Sequence, residues 1–189
     1  MSPSGPALPD AIAAWQGRSR DDRLARMGRA PDDLRAMIAG RSEAELAGRP
    51  LVGGWSAVEV IGHVRDIEEF SLVRFRMMLR MAIPSVPAAG APDDPVAWGL
   101  IEDGAWLLDP ERWASDRQYL RDDPHVSAAA FGRLRAQTLA FLGSLAEPQW
   151  ARGSIHPRFG RVTIEDWTAI LAWHDDNHLA QLAAILDAR

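Results

Sequence analysis

The sequence predicts an all-α protein built as one four-helix bundle with a long crossover connection. Three observations carry this. Apolar residues recur at helical spacing in four separate stretches. Those stretches have recognisable start or stop signals. Neither an internal repeat nor a convincing strand alternation is present. With 189 residues, 47% of them hydrophobic, the chain has the size of a single domain with a sizeable core. Residues 1–18 read as an N-terminal arm and residues 19–189 as the bundle domain.

In the arm, Pro3, Pro6, Pro9 and Gly17 suit flexibility, although Trp15 beside Ile12 suggests one docked turn. A first helix is expected from Pro31 to Ala39. Pro31 fits the first helical position, Leu34, Met37 and Ile38 recur at helical spacing, and Gly40 closes the element. The second helix starts at Ser56-Ala57-Val58-Glu59, a capping-box pattern in which each side chain satisfies a free backbone N–H. It should run to about Ala82, ahead of Pro84. Val60, His63, Ile67, Phe70, Met77 and Met81 fall on one stripe, while Arg65, Glu68, Glu69 and Arg76 turn mostly elsewhere.

Residues 84–95 hold four prolines and Gly90, a long surface connection of the kind that often contacts substrate. From Asp94 to Asp123 the pattern is rich in tryptophan and fits short helices and irregular packing equally well. The third long helix follows Asp123-Pro124, a cap and first-turn proline. Its stripe is Val126, Phe131, Leu134, Thr138, Phe141, Leu142 and Leu145, ending before Pro148. A turn-rich link from Arg152 to Gly160 leads to the last helix, opened by Thr163-Ile164-Glu165-Asp166 with an acidic first turn. Its inner face reads Trp167, Leu171, His174, His178, Gln181 or Leu182, and Ile185.

Composition excludes several chemistries. There is no cysteine, so disulfides, thiolate–metal sites and an internal thiol nucleophile are absent together. There is no lysine, which removes Schiff-base catalysis. A formal charge of −5 and scattered arginines argue against a nucleic-acid partner, which calls for a basic face. No apolar run approaches the ~20 residues of a membrane span, and the N-terminus lacks a signal-peptide pattern. A soluble cytoplasmic protein with no membrane partner is the expectation.

The chemistry-bearing pattern is His174 and His178, four residues apart and so on one helical face. His63 lies on the apolar side of the second helix. Three inward imidazoles suit one divalent ion, and neutral imidazole is a common ligand for zinc, nickel and iron. Each histidine alone also fits a hydrogen-bonded core role. Asp175 replaces the glutamate of the His-Glu-xx-His protease pattern, which disfavours protease activity. Glu59 lies one turn before His63 and Asp66 nearly one turn after it, so either can orient a ligand or shuttle a proton, Glu59 in competition with its capping role. His156, in the link before the last helix, is a third candidate against a purely structural turn role. Gln181 is a candidate partner of His178, or a core-edge amide. The eight tryptophans read as core packing.

Four segments taken together resemble the DinB-like superfamily over roughly residues 30–187. They are Trp55-Ser56-xx-Glu59-Val60-xx-His63-xx-Asp66-xx-Glu69, Phe131-xx-Leu134-Arg135, His156-Pro157-Arg158-Phe159-Gly160-Arg161-x-Thr163, and His174-Asp175-xx-His178-Leu179-x-Gln181-Leu182. The resemblance implies a four-helix bundle whose divalent ion, zinc, nickel, iron or manganese, is bound by His63, His174 and His178. It implies a homodimer, and a small-molecule substrate handled by a transferase using a low-molecular-weight thiol such as bacillithiol or mycothiol, or by a hydrolase. The iron-dependent sulfoxide synthases of the group fit less well, because Ala180 stands where their glutamate would be. The alternative from another class is a non-catalytic metal-binding or stress-response bundle.

Overall fold

A computed structural model describes residues 10–50, 53–80, 110–156 and 159–188. In chain order the elements are α1 (Asp10–Gln16), α2 (Arg20–Ile38), α3 (Glu43–Ala47), α4 (Ala57–Arg80), α5 (Pro110–Asp116), a 3₁₀ turn (Tyr119–Arg121), α6 (Pro124–Gly143), α7 (Glu147–Trp150), β1 (Gly153–His156), β2 (Gly160–Thr163) and α8 (Ile164–Asp187). The four long helices α2, α4, α6 and α8 form the bundle. Both α2 and α4 pack on α6 and α8, so α2 stands diagonal to α4 and α6 diagonal to α8, while the consecutive helices α4 and α6 are neighbours. A short hairpin link would make α2 and α4, or α6 and α8, neighbours; α3 in the first case and α7 with the β1–β2 hairpin in the second lie between them instead. The expected bundle with a long crossover is what is found. Ala82, Pro84, the 84–95 connection, Trp98 and Trp106 lie outside the described residues, as do residues 1–9.

α2 is longer than expected. It begins at Arg20, with Ser19 as its cap, the Ser19 hydroxyl accepting from the Asp22 N–H at 3.1 Å. Pro31 therefore sits inside the helix rather than at its start. Proline has no N–H for the carbonyl one turn earlier, here that of Met27. The Arg135 guanidinium donates to that carbonyl at 2.6 Å and makes good the missing bond, a compensation invisible to local pattern.

α4 opens with the expected capping box. Ser56 N–H donates to Glu59 at 2.8 Å, and Glu59 N–H to the Ser56 hydroxyl at 3.3 Å. Glu68, expected to point outward, is fully buried. In α6 the Asp123 carboxylate accepts from His125 N–H and Val126 N–H, as the cap pattern requires. The buried face, however, runs through Ser127, Ala128, Phe131, Arg135, Thr138 and Leu142, and Val126 is 60% exposed. Val126 stands about 140° around the helix from Phe131, out of phase with that face.

Two four-residue strands, not expected from the sequence, form an antiparallel hairpin pairing Gly153 with Thr163 and His156 with Gly160. Strands this short give alternation too little length to register. Within the predicted arm, α1 packs along α8, with Ile12 buried and Gln16 donating to Asp166 at 2.9 Å. Thr163 and Asp166 form the capping box of α8. No described helix is long and apolar enough to cross a membrane.

Candidate metal centre

His63 reaches inward from α4, and His174 and His178 from α8. One nitrogen of each imidazole lies within 4.8 Å of the others, and the Nε2 atoms of His63 and His174 are 3.1 Å apart. A cation at ~2.0–2.1 Å from two imidazole nitrogens in tetrahedral geometry holds them ~3.3 Å apart, so the spacing fits one ion. His63 packs edge-on against the Trp55 indole at 5.1 Å between centroids.

Burial keeps all three rings uncharged. It lowers His63 to about 3, with the nearby His178 adding to the effect. It lowers His174 well below its ordinary value, helped by His178, His63 and Arg135. It also lowers His178, against a bond to Gln181 that favours the charged form. Neutral imidazoles are the form that ligates a metal. His178 Nδ1 is 2.8 Å from Gln181 Oε1. An amide oxygen only accepts, so Nδ1 carries the proton and Nε2 is left as the ligating atom. Gln181 thus takes the orienting place its spacing suggested.

Behind the imidazoles lies a buried charge network. Arg135 of α6 donates to Asp175 at 2.6 and 3.0 Å, to Glu68 at 2.7 Å and to the Met27 carbonyl at 2.6 Å. All three charged side chains are buried. Burial works against the Arg135 charge, but attraction to Asp175 and Glu68 outweighs it and holds the guanidinium above its ordinary value. For Asp175 the balance reverses, burial outweighing Arg135 and raising the carboxyl to about 6. One cation shared between two anions accounts for both directions. Asp175 and Asp176, alike by sequence, divide: Asp176 stays exposed and pairs with Arg26.

The other three candidates lie elsewhere. Glu59 is held by Ser56 and Arg49 as a helix cap. Asp66 is a buried clamp, accepting from Tyr119 Oη at 2.6 Å, Arg117 at 2.8 Å and Arg65 at 2.9 Å. His156 sits in the hairpin, its Nδ1 accepting from Phe159 N–H at 3.2 Å and its ring stacked on Phe159 at 4.4 Å. A cleft of about 410 Å³ opens over the three imidazoles, lined also by Gly54, Trp55, Gln181 and Glu111 of α5. Glu111 carries no local signal that marks it, because the crossover's fold decides where it falls.

A model of the DinB superfamily matches residues 26–182. YfiT of Bacillus subtilis, described as a probable metal-dependent hydrolase, is 24% identical over 156 residues, covering 82% of this chain and 77% of that protein. A protein of Geobacillus kaustophilus that bears a metal-dependent hydrolase name is 26% identical over 161 residues, with the same coverage, 82% and 77%. The solved structure of YfiT, a four-helix bundle of unusual topology, matches with a TM-score of 0.73 at 21% identity, across 89% of this chain and 88% of that one. That likeness extends to the whole bundle, and the family match runs from Arg26 in α2 to Leu182 in α8; the chain belongs to the DinB superfamily.

Proposed function

We propose that this protein is a metal-dependent hydrolase of a small molecule, with a divalent ion held by His63, His174 and His178. The convergence of three uncharged imidazoles from two helices beneath an open cleft carries the proposal, and the metal-dependent hydrolase names of its relatives support it. An ion bound there would supply Lewis acidity and lower the pKa of bound water toward neutrality. The chain supplies the rest. Gln181 fixes the His178 tautomer, and Trp55 packs against His63 and walls the cleft. Arg135 holds Asp175, the residue next to His174, and Glu68, five residues beyond His63.

Metal analysis of untagged protein tests the centre. About one equivalent of ion in the wild type and none in His174→Ala or His178→Ala supports it; equal occupancy in all three overturns it. Thiol-dependent transfer is the finer reading that the family resemblance supports, and it would use the same ion. Turnover of an electrophile panel that needs an added thiol favours transfer, turnover without thiol favours hydrolysis, and no metal-dependent rate favours a non-catalytic bundle. We propose a homodimer as its assembly; a monomeric mass in light scattering overturns that.

A further inference from the structure

The two ends of the Gln181 amide face different partners. Its Oε1 accepts from His178 Nδ1–H at 2.8 Å, which turns the amide nitrogen away from the imidazole. An amide placed the other way round would donate to Nδ1, leave the ring proton on Nε2 and remove the ligating atom. Covalent geometry puts the amide nitrogen about 2.2 Å from Oε1, and so within about 5 Å of His178 Nδ1. Among the described residues the Gln181 side chain makes no other hydrogen bond. It is half-buried where it lines the cleft over the three imidazoles, so two N–H bonds are held at the cleft wall.

Orienting His178 does not by itself call for an amide. A carboxylate does the same for a ligating imidazole, and glutamate has the shape of glutamine. What the amide adds is the pair of donors. α8 keeps them in place: His174, His178 and Gln181 share one helical face, and Leu182 anchors the same turn in the core cluster that contains Trp55 and Val60. The chain has no lysine, and no arginine is among the described residues lining the cleft. Trp55 Nε1, another neutral donor of that wall, is closed off by burial. A substrate oxygen in need of a donor therefore meets the Gln181 amide.

We propose that the Gln181 amide nitrogen donates to a carbonyl or carboxylate oxygen of the substrate, a deepening that rests on the hydrolase reading above. Gln181 then selects acyl compounds that carry a second acceptor oxygen near the group attacked.

The test uses the full chain loaded with cobalt(II), whose visible band reports the binding of small acids. Pyruvate is compared with isobutyrate, and levulinate with isocaproate; in each pair the second acid keeps the charge and shape of the first but has a methyl-bearing carbon in place of the ketone. Gln181→Glu keeps an oxygen for His178 Nδ1–H and exchanges the donors for an acceptor. It is expected to bind cobalt within about threefold of wild type in chelator competition, because the orienting bond survives. The preference for the keto acid over its partner is expected to be about tenfold larger in wild type than in Gln181→Glu, in at least one pair. Any general effect of the added charge cancels in that ratio, since all four acids carry one charge. Preferences that agree within about twofold between the two proteins, in both pairs, overturn the proposal. So does a cobalt affinity in Gln181→Glu as low as in Gln181→Leu, because an oxygen would then not be what faces Nδ1. Wild-type protein that binds cobalt no better than His174→Ala defeats the metal centre and the proposal with it, a failure visible before any acid is added.

Discussion

Replacing Arg135 with methionine keeps most of the side-chain volume and removes the cation that Glu68 and Asp175 share. In the wild type the guanidinium makes four bonds of 2.6–3.0 Å and is itself fully buried. The variant strands two carboxylates in the interior and leaves the Met27 carbonyl with neither helical nor guanidinium partner. Removing one side of a buried ion pair costs about 3–5 kcal/mol, and for a chain of this length each kcal/mol lowers Tm by ~2–4 °C. The expected fall is therefore ~6–20 °C at pH 8, read by circular dichroism. Adding Glu68→Gln and Asp175→Asn should return more than half of it. The deficit also has a sign with pH. The Asp175 carboxyl, raised to about 6, binds more protons folded than unfolded between pH 3.8 and 6, so its contribution to stability falls as pH rises through that window. Without Arg135 the window extends upward, and the deficit should be larger at pH 8 than at pH 5. A loss below 1 kcal/mol at pH 8, or one that ignores pH, would refute the reasoning.

Three further outcomes are expected. Gln181→Leu leaves the His178 tautomer unfixed and should weaken cobalt binding by about 10–100-fold, with the melting temperature little changed; unchanged affinity in chelator competition counts against the orienting role. In chelator-treated protein, His63 takes up its proton at 6.5 unfolded but only near 3 folded, so its share of stability is complete above pH 6.5 and is lost progressively toward pH 3, by up to ~5 kcal/mol. Asp175 opposes this by at most ~3 kcal/mol between pH 6 and 3.8; urea midpoints at pH 7.5, 6 and 5 should decline, and a flat series rejects the account. Gly62→Ala places a methyl carbon 2.8–2.9 Å from the Tyr119 ring and should cost about 1–3 kcal/mol. Its combination with Tyr119→Leu should cost less than the sum of the two, and additivity in thermal melts would show that the contact is not the cause.

The sequence carried whatever depends on neighbours along the chain. The Ser56–Glu59, Asp123–Pro124 and Thr163–Asp166 starts are local, and helix periodicity brought His63, His174 and His178 inward. What it missed depends on partners distant in sequence. Pro31 reads as a helix start until Arg135 from another helix takes up the Met27 carbonyl. Glu68 reads as turned away from the apolar stripe, and Asp175 as either a solvated acid or a partner to another residue, until the same guanidinium makes their burial tolerable. Asp66 and Glu59, one turn either side of His63, share its helix but not its surroundings, so spacing alone could not separate clamp and cap from chemistry. Glu111 reaches the cleft because the crossover folds back on α4, which no short-range pattern encodes.

Arg135 is the one side chain described above that bonds to all three neighbouring long helices while standing on the fourth: backbone of α2, carboxylate of α4, carboxylate of α8. Two of those anchors sit beside the imidazoles, Asp175 next to His174 and Glu68 five residues past His63. Peeling any helix from the bundle withdraws a partner from this keystone and slackens the spacing that the centre depends on. No partly melted intermediate should keep an ion added to the three imidazoles, so release of that ion and global unfolding ought to trace a single transition.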